Sequence, residues 1–212
     1  MNSIFLRAKH WQLFIPLLVI PFVTMIIFGM IVAFTVINQN PKGPEDVIWI
    51  FYFLPIIFAI SSFVQFGWLW TVLTKLSALV PKHQVKFPLR RIKFFFIVPI
   101  IYFCLIPFYI TFVIQTISHQ HIEDLIQIAI LGIFVFIFHF FSIFCILHTF
   151  FFVAKTIRSA ELQRNTTFSD FAGYFFLTWF FPVGVWFLQP KINALITQEN
   201  DFVVSTNEEL LD

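Results

Sequence analysis

Four long stretches of this chain contain no Lys, Arg, Asp or Glu: residues 13–37, 47–73, 94–117 and 125–153. A bilayer core about 30 Å thick needs about 20 apolar residues per helical crossing, so each stretch is long enough to span. Across the 212 residues 59% are hydrophobic and only 11% charged, against about 25% charged in a soluble domain. The sequence therefore predicts an all-α integral membrane helical bundle of four full spans. A fifth, shorter membrane segment follows at residues 172–188. The membrane domain covers residues 1–193, and an acidic C-terminal tail covers 194–212.

Loop charge sets the orientation. Arg7 and Lys9 precede the first span, followed by Trp11 at the headgroup boundary. The apolar run after them exceeds the core of a signal peptide and has no A-x-A-like cleavage site, so it reads as a retained span. Loop 38–46 carries Lys42 against Glu45 and Asp46. Loop 74–93 holds Lys75, Lys82, Lys86, Arg90, Arg91 and Lys93 and no acid. Loop 118–124 holds His119, His121, Glu123 and Asp124 and no Lys or Arg, and 154–170 is again net positive. The positive-inside rule then places the N-terminus in the cytoplasm, with Lys82, Lys86, Arg90, Arg91 and Lys93 as the main topology-setting cations. Those cations serve anionic headgroups, and no nucleic-acid partner is expected.

Polar residues within spans mark interhelical faces, because an unpaired polar group in hydrocarbon costs several kcal/mol. Gln65 lies three residues after Ser62 in the second span, and Gln115 lies late in the third. In the fourth, His139, Ser142, Cys145 and Thr149 fall within about 120° on a helical wheel, close to Gly132. His148 lies about 180° from His139, so one helix cannot bring the two rings together. The stripe reads as packing, with a sensing histidine as its functional alternative. Cys104 and Cys145 lie in separate spans and read as small core residues, and H-x-H with two nearby acids is a weak metal pattern.

Residues 172–188 are uncharged, only 17 long, and interrupted by Pro182 and Gly184. They form either a fifth crossing or two half-helices that enter and leave on the cytoplasmic side. The second reading is favoured. Broken backbone at membrane depth must pack on protein or line a wet cavity.

Two segments, KHWQLF at residues 9–14 and WFFPVGVWFLQPKIN at 179–193, resemble a group of uncharacterised multi-pass bacterial membrane proteins. The resemblance implies a bacterial inner-membrane location and carries no activity with it. The spans contain no acid relay, and G-x-S-x-G, H-E-x-x-H and P-loop motifs are lacking, so no enzyme and no cofactor are expected. The favoured reading is a non-enzymatic assembly, sensor or accessory subunit. Its partners are the bilayer and either further copies of itself or a membrane protein. A small transporter or channel is the alternative. A narrower form of the favoured reading is an effector or accessory of a bacterial defence system.

Overall fold

A computed structural model describes residues 4–37, 45–80, 89–118 and 125–209. Among them the secondary structure is helical throughout, without a strand. The order is α1 (Ile4–Arg7), α2 (His10–Phe14), a π-helical turn (Ile15–Val19), α3 (Ile20–Ile37), α4 (Glu45–Leu76), α5 (Leu89–Ser118), α6 (Leu125–Leu162), α7 (Phe168–Trp179) and α8 (Phe181–Glu209). Among the described residues three helical stretches are long and apolar enough to cross a membrane: His10–Thr35, Arg90–Thr116 and Leu125–Leu162. At 1.5 Å per residue, α6 is about 57 Å long, nearly twice a hydrocarbon core. Its polar last turns therefore extend well past any single crossing.

The chain forms two compact units, Met1–Lys86 with Val153–Asp212, and Phe87–Phe152. In the first, the N-terminal helices widen into a π turn at two prolines. Ile20 N–H donates back five residues to Ile15 O. Pro21 comes next in that register and has no N–H to give to the carbonyl of Pro16. The Ser61 hydroxyl of α4 donates to that carbonyl instead, at 2.7 Å. This is how a proline-bent apolar helix keeps its backbone satisfied away from water.

Helices α7 and α8 fold back on each other at Phe180. The reversal is close: a Cβ built on Gly184 would lie 1.7 Å from Leu177 O. Only glycine permits that approach. The N–H groups of Val183 and Gly184 both donate to Phe180 O, at 3.0 and 2.8 Å, and so start α8. Pro182 sits in the first turn of α8, where a missing N–H is harmless. The break therefore lies just before Pro182 and Gly184. The segment 172–188 is not one continuous helix, and α7 alone is about 18 Å long.

Helix α8 runs unbroken to Glu209, through Pro190. Its buried residues Phe181, Val185, Leu188, Ile192 and Ile196 recur every three or four positions, one continuous stripe that joins hairpin to tail. The facing core comes from α4 (Trp68, Leu69, Val72, Leu73, Leu76), from the end of α6 (Val153, Ala154, Ile157, Ala160) and from Leu6, Leu13 and Phe171. The rings of Trp68 and Phe181 lie 4.6 Å apart at this core's centre.

In the second unit, α5 and the first part of α6 run antiparallel. Phe95 meets His148 with ring centroids 4.4 Å apart. Tyr102 meets Phe138 at 5.6 Å. The Tyr109 hydroxyl donates to Ile128 O at 3.4 Å and occupies the space a side chain at Gly132 would need.

Replacing Gly184 with Ala forces the α7–α8 turn to open. We expect a loss of about 1–3 kcal/mol, the range of overpacking. It would be read as a lower thermal midpoint of the purified chain by circular dichroism. An unchanged midpoint would show that the hairpin closes differently.

Candidate functional site

Helix α1 has only four residues, so its C-terminal carbonyls have no helical partners. Helix α8 supplies those partners through one side chain. Gln189 is fully buried. Its amide nitrogen donates to Phe5 O at 2.9 Å, to Leu6 O at 3.4 Å and to Asn193 Oδ1 at 3.0 Å. Its amide oxygen accepts from Trp68 Nε1 at 2.7 Å. Asn193, one turn on, donates to Ala8 O at 3.4 Å. Trp186, one turn before, lays its ring against His10 at 4.2 Å and Phe14 at 5.5 Å. Gly67 of α4 leaves room for the Phe5 ring. One face of α8 thus binds the N-terminal helices and α4 together.

A second polar cluster joins the end of α6 to the hairpin. The Glu161 carboxylate accepts from Arg158 Nη1 and from the Tyr174 hydroxyl, both at 2.6 Å. Lys191 donates to the Tyr174 oxygen at 2.6 Å and lies 3.7 Å from Glu161. Arg158 and Lys191 also sit over the Tyr174 ring, 5.5 and 4.8 Å from its centroid. Tyr174 and Lys191 are brought together by the reversal at Phe180.

The connection from α6 to α7 is capped in detail. Gln163 takes positive φ at the end of α6 and its amide donates to Ala160 O at 2.6 Å. Thr167 and Asp170 form a reciprocal capping box at the start of α7, and Arg164 pairs with Asp170 at 3.2 Å. The Thr167 backbone N–H, Arg164 and the Thr167 hydroxyl together hold the Asp170 carboxyl at about 2, below its usual 3.8.

The polar positions singled out in the sequence are dispersed. Gln65 is half-buried and Gln115 exposed. Ser142 and Thr149 are buried. Thr149 donates to Cys145 O on its own helix, whereas no hydrogen bond to Ser142 Oγ occurs among the described residues. His139 is exposed, and its Nδ1 lies 2.8 Å from the Tyr102 hydroxyl. His148, on the other side of the helix, is ringed by Phe95, Phe144, Phe151 and Phe152. Arg90, Arg91 and Lys93 are exposed at the start of α5, while Lys82, Lys86 and the loop with His119 and His121 lie outside the described residues. No group of three metal-ligating side chains occurs among the described residues.

Gln189, Asn193, Glu161, Tyr174 and Lys191 were not among those positions. The spacing of Gln189 and Asn193, one turn apart on the stripe that continues from Phe181, is the signal that marks them.

No protein-family model, curated protein or solved structure matches the chain.

Replacing Gln189 with Leu leaves Trp68 Nε1 and two carbonyls of α1 without partners. The expected loss is about 1–3 kcal/mol per stranded group, measured as a lower denaturation midpoint. Gln189→Glu keeps the acceptor for Trp68 but loses the donors and sets a buried carboxyl against the α1 carbonyls, so it should lose no less. Asp170 predicts an acid dependence with a definite sign. Its folded value is depressed, so its contribution to stability is whole above 3.8 and disappears as pH falls from there to about 2. Asp170→Asn should flatten the melting midpoint over that window, and an unaltered slope would refute the assignment.

Proposed function

We propose that the chain is a multi-pass membrane subunit that acts by assembly, as a sensor or accessory, without catalysing a reaction itself. In this reading residues 13–37, 47–73, 94–117 and 125–153 are the four full spans, the first running through the π turn into α3. Helices α7 and α8 form a re-entrant hairpin on the cytoplasmic side, and the N-terminus is cytoplasmic. The two segments that resemble bacterial membrane proteins support an inner-membrane location.

The observation that carries the assembly reading is the bareness of the first span. No residue of its most apolar 18-residue window is buried. Ile20, Phe22, Met25, Ile27, Met30 and Phe34 are exposed, over all of α3 except one half-buried strip formed by Pro21, Thr24, Phe28, Val32 and Thr35. The packing is instead concentrated where α8 meets the N-terminal helices and α4. A protein built this way has one well-ordered centre and a long apolar helix left for lipid or for another chain.

Extraction in native lipid followed by native mass spectrometry tests the reading. We expect a defined homo-oligomer or a stoichiometric complex with a second protein. A lone monomer would count against it, and saturable solute flux in liposomes would favour transport instead. The hairpin has its own test. With Cys104 and Cys145 replaced, a cysteine introduced as Thr206→Cys should be labelled only from the cytoplasmic side. Labelling from outside would establish a fifth crossing.

A further inference from the structure

The pair α5–α6 encloses a cleft of about 440 Å³, walled by Tyr102, Ile106, Phe134, Val135, Phe138 and Phe141 among others. Its lining is almost wholly apolar. The exception is the hydroxyl of Tyr102, a residue nine-tenths buried, which pairs with His139 Nδ1 at 2.8 Å.

A neutral imidazole has one N–H and a phenol one O–H. One of the two protons lies in the bond between them. The other remains, on His139 Nε2 or on the Tyr102 oxygen according to the tautomer. Among the described residues neither side chain makes a further hydrogen bond. Of the two, only Tyr102 lines the cleft and His139 is exposed outside it, so the cleft holds an unused donor where Nδ1–H donates to the Tyr102 oxygen and leaves its O–H over.

The depth of that donor narrows what meets it. His139 is the central residue of the apolar stretch 125–153. Its Cα is about 20 Å along the helix from either end of that stretch. Phospholipid ester carbonyls lie at the interface, about 15 Å from the midplane, and do not descend so far. Water is excluded there, and a stranded donor costs several kcal/mol.

We propose that this cleft binds a membrane-soluble carbonyl compound, an apolar ring or chain bearing a C=O of the quinone type. Its body fills the space between Phe134, Phe138 and Phe141. Its carbonyl accepts from the Tyr102 O–H, which His139 Nδ1–H frees by donating to the Tyr102 oxygen. Binding requires no chemistry at the ligand. The proposal rests on α5 and α6 spanning the bilayer, and is independent of whether the protein acts by assembly.

The test uses the full chain in phosphatidylcholine nanodiscs free of quinone. It is titrated with decylubiquinone labelled with ¹³C at its carbonyls, and with decylbenzene as the probe lacking an acceptor. The quinone should bind saturably, one per chain, with its infrared carbonyl band shifted down relative to quinone dissolved in lipid. Decylbenzene should not saturate. The double variant Tyr102→Phe, His139→Leu removes every donor and should weaken quinone binding about tenfold, with loss of the band shift. Tyr102→Phe alone removes the one donor on the cleft wall and should lose as much. Val135→Trp should abolish saturable binding by filling the cleft. Equal binding of the two probes, or an unshifted carbonyl band, overturns the proposal even if the variants fail to fold. Failure of the spanning reading would appear separately, as aqueous labelling of cysteines placed along α5 and α6.

Discussion

The buried amide of Gln189 is the interaction on which the first unit depends. A carboxamide is suited to the place because it gives and accepts at once. Its nitrogen serves the open carbonyl end of α1, and its oxygen serves the indole of Trp68. No apolar side chain would satisfy either, and a charged one would satisfy only half at a much larger desolvation cost. Around this amide the core can be dry. Phe181, Leu188 and Ile192 on either side of it are all fully buried.

The hairpin makes that placement exact enough to work. Without the close approach at Gly184, α8 would not return along α7, and Lys191 would not lie beside Tyr174. The Glu161–Tyr174–Lys191 cluster is half-exposed, where individual ion pairs are worth little. Its value lies in geometry. Three residues from α6, α7 and α8 share one carboxylate and one hydroxyl, which fixes the rotation of each helix about its own axis.

Much of the helical layout was legible in the residues. Hydropathy is local, and it marked apolar stretches that the structure carries as helices. Pro182 and Gly184 also announced an interruption near the right place, because their backbone limits act within a turn. What could not be read was partnership. The sequence pointed to Ser62 and Gln65 in α4, yet Ser61 finds the work, because Pro21 leaves a carbonyl open on its side. Glu161 read as a loop charge, until a reversal at Phe180 brought Tyr174 and Lys191 to it. His139 was grouped with Ser142 and Thr149 by angle alone, while its actual mate, Tyr102, lies on another helix. The composition turns acidic at 194, and the buried spacing of α8 runs on to Ile196.

The bonds from Gln189 and Asn193 to Phe5, Leu6 and Ala8 also impose an order on biogenesis. The residues they join are more than 180 positions apart. As the chain leaves the ribosome, the first helices enter the membrane long before their seat exists. Until α8 has been synthesised, the carbonyl end of α1 and the indole of Trp68 must be held by water, headgroups or a chaperone. The first unit is therefore closed last, by its final helix, and a truncation before Gln189 would leave the earliest part of the protein unfinished.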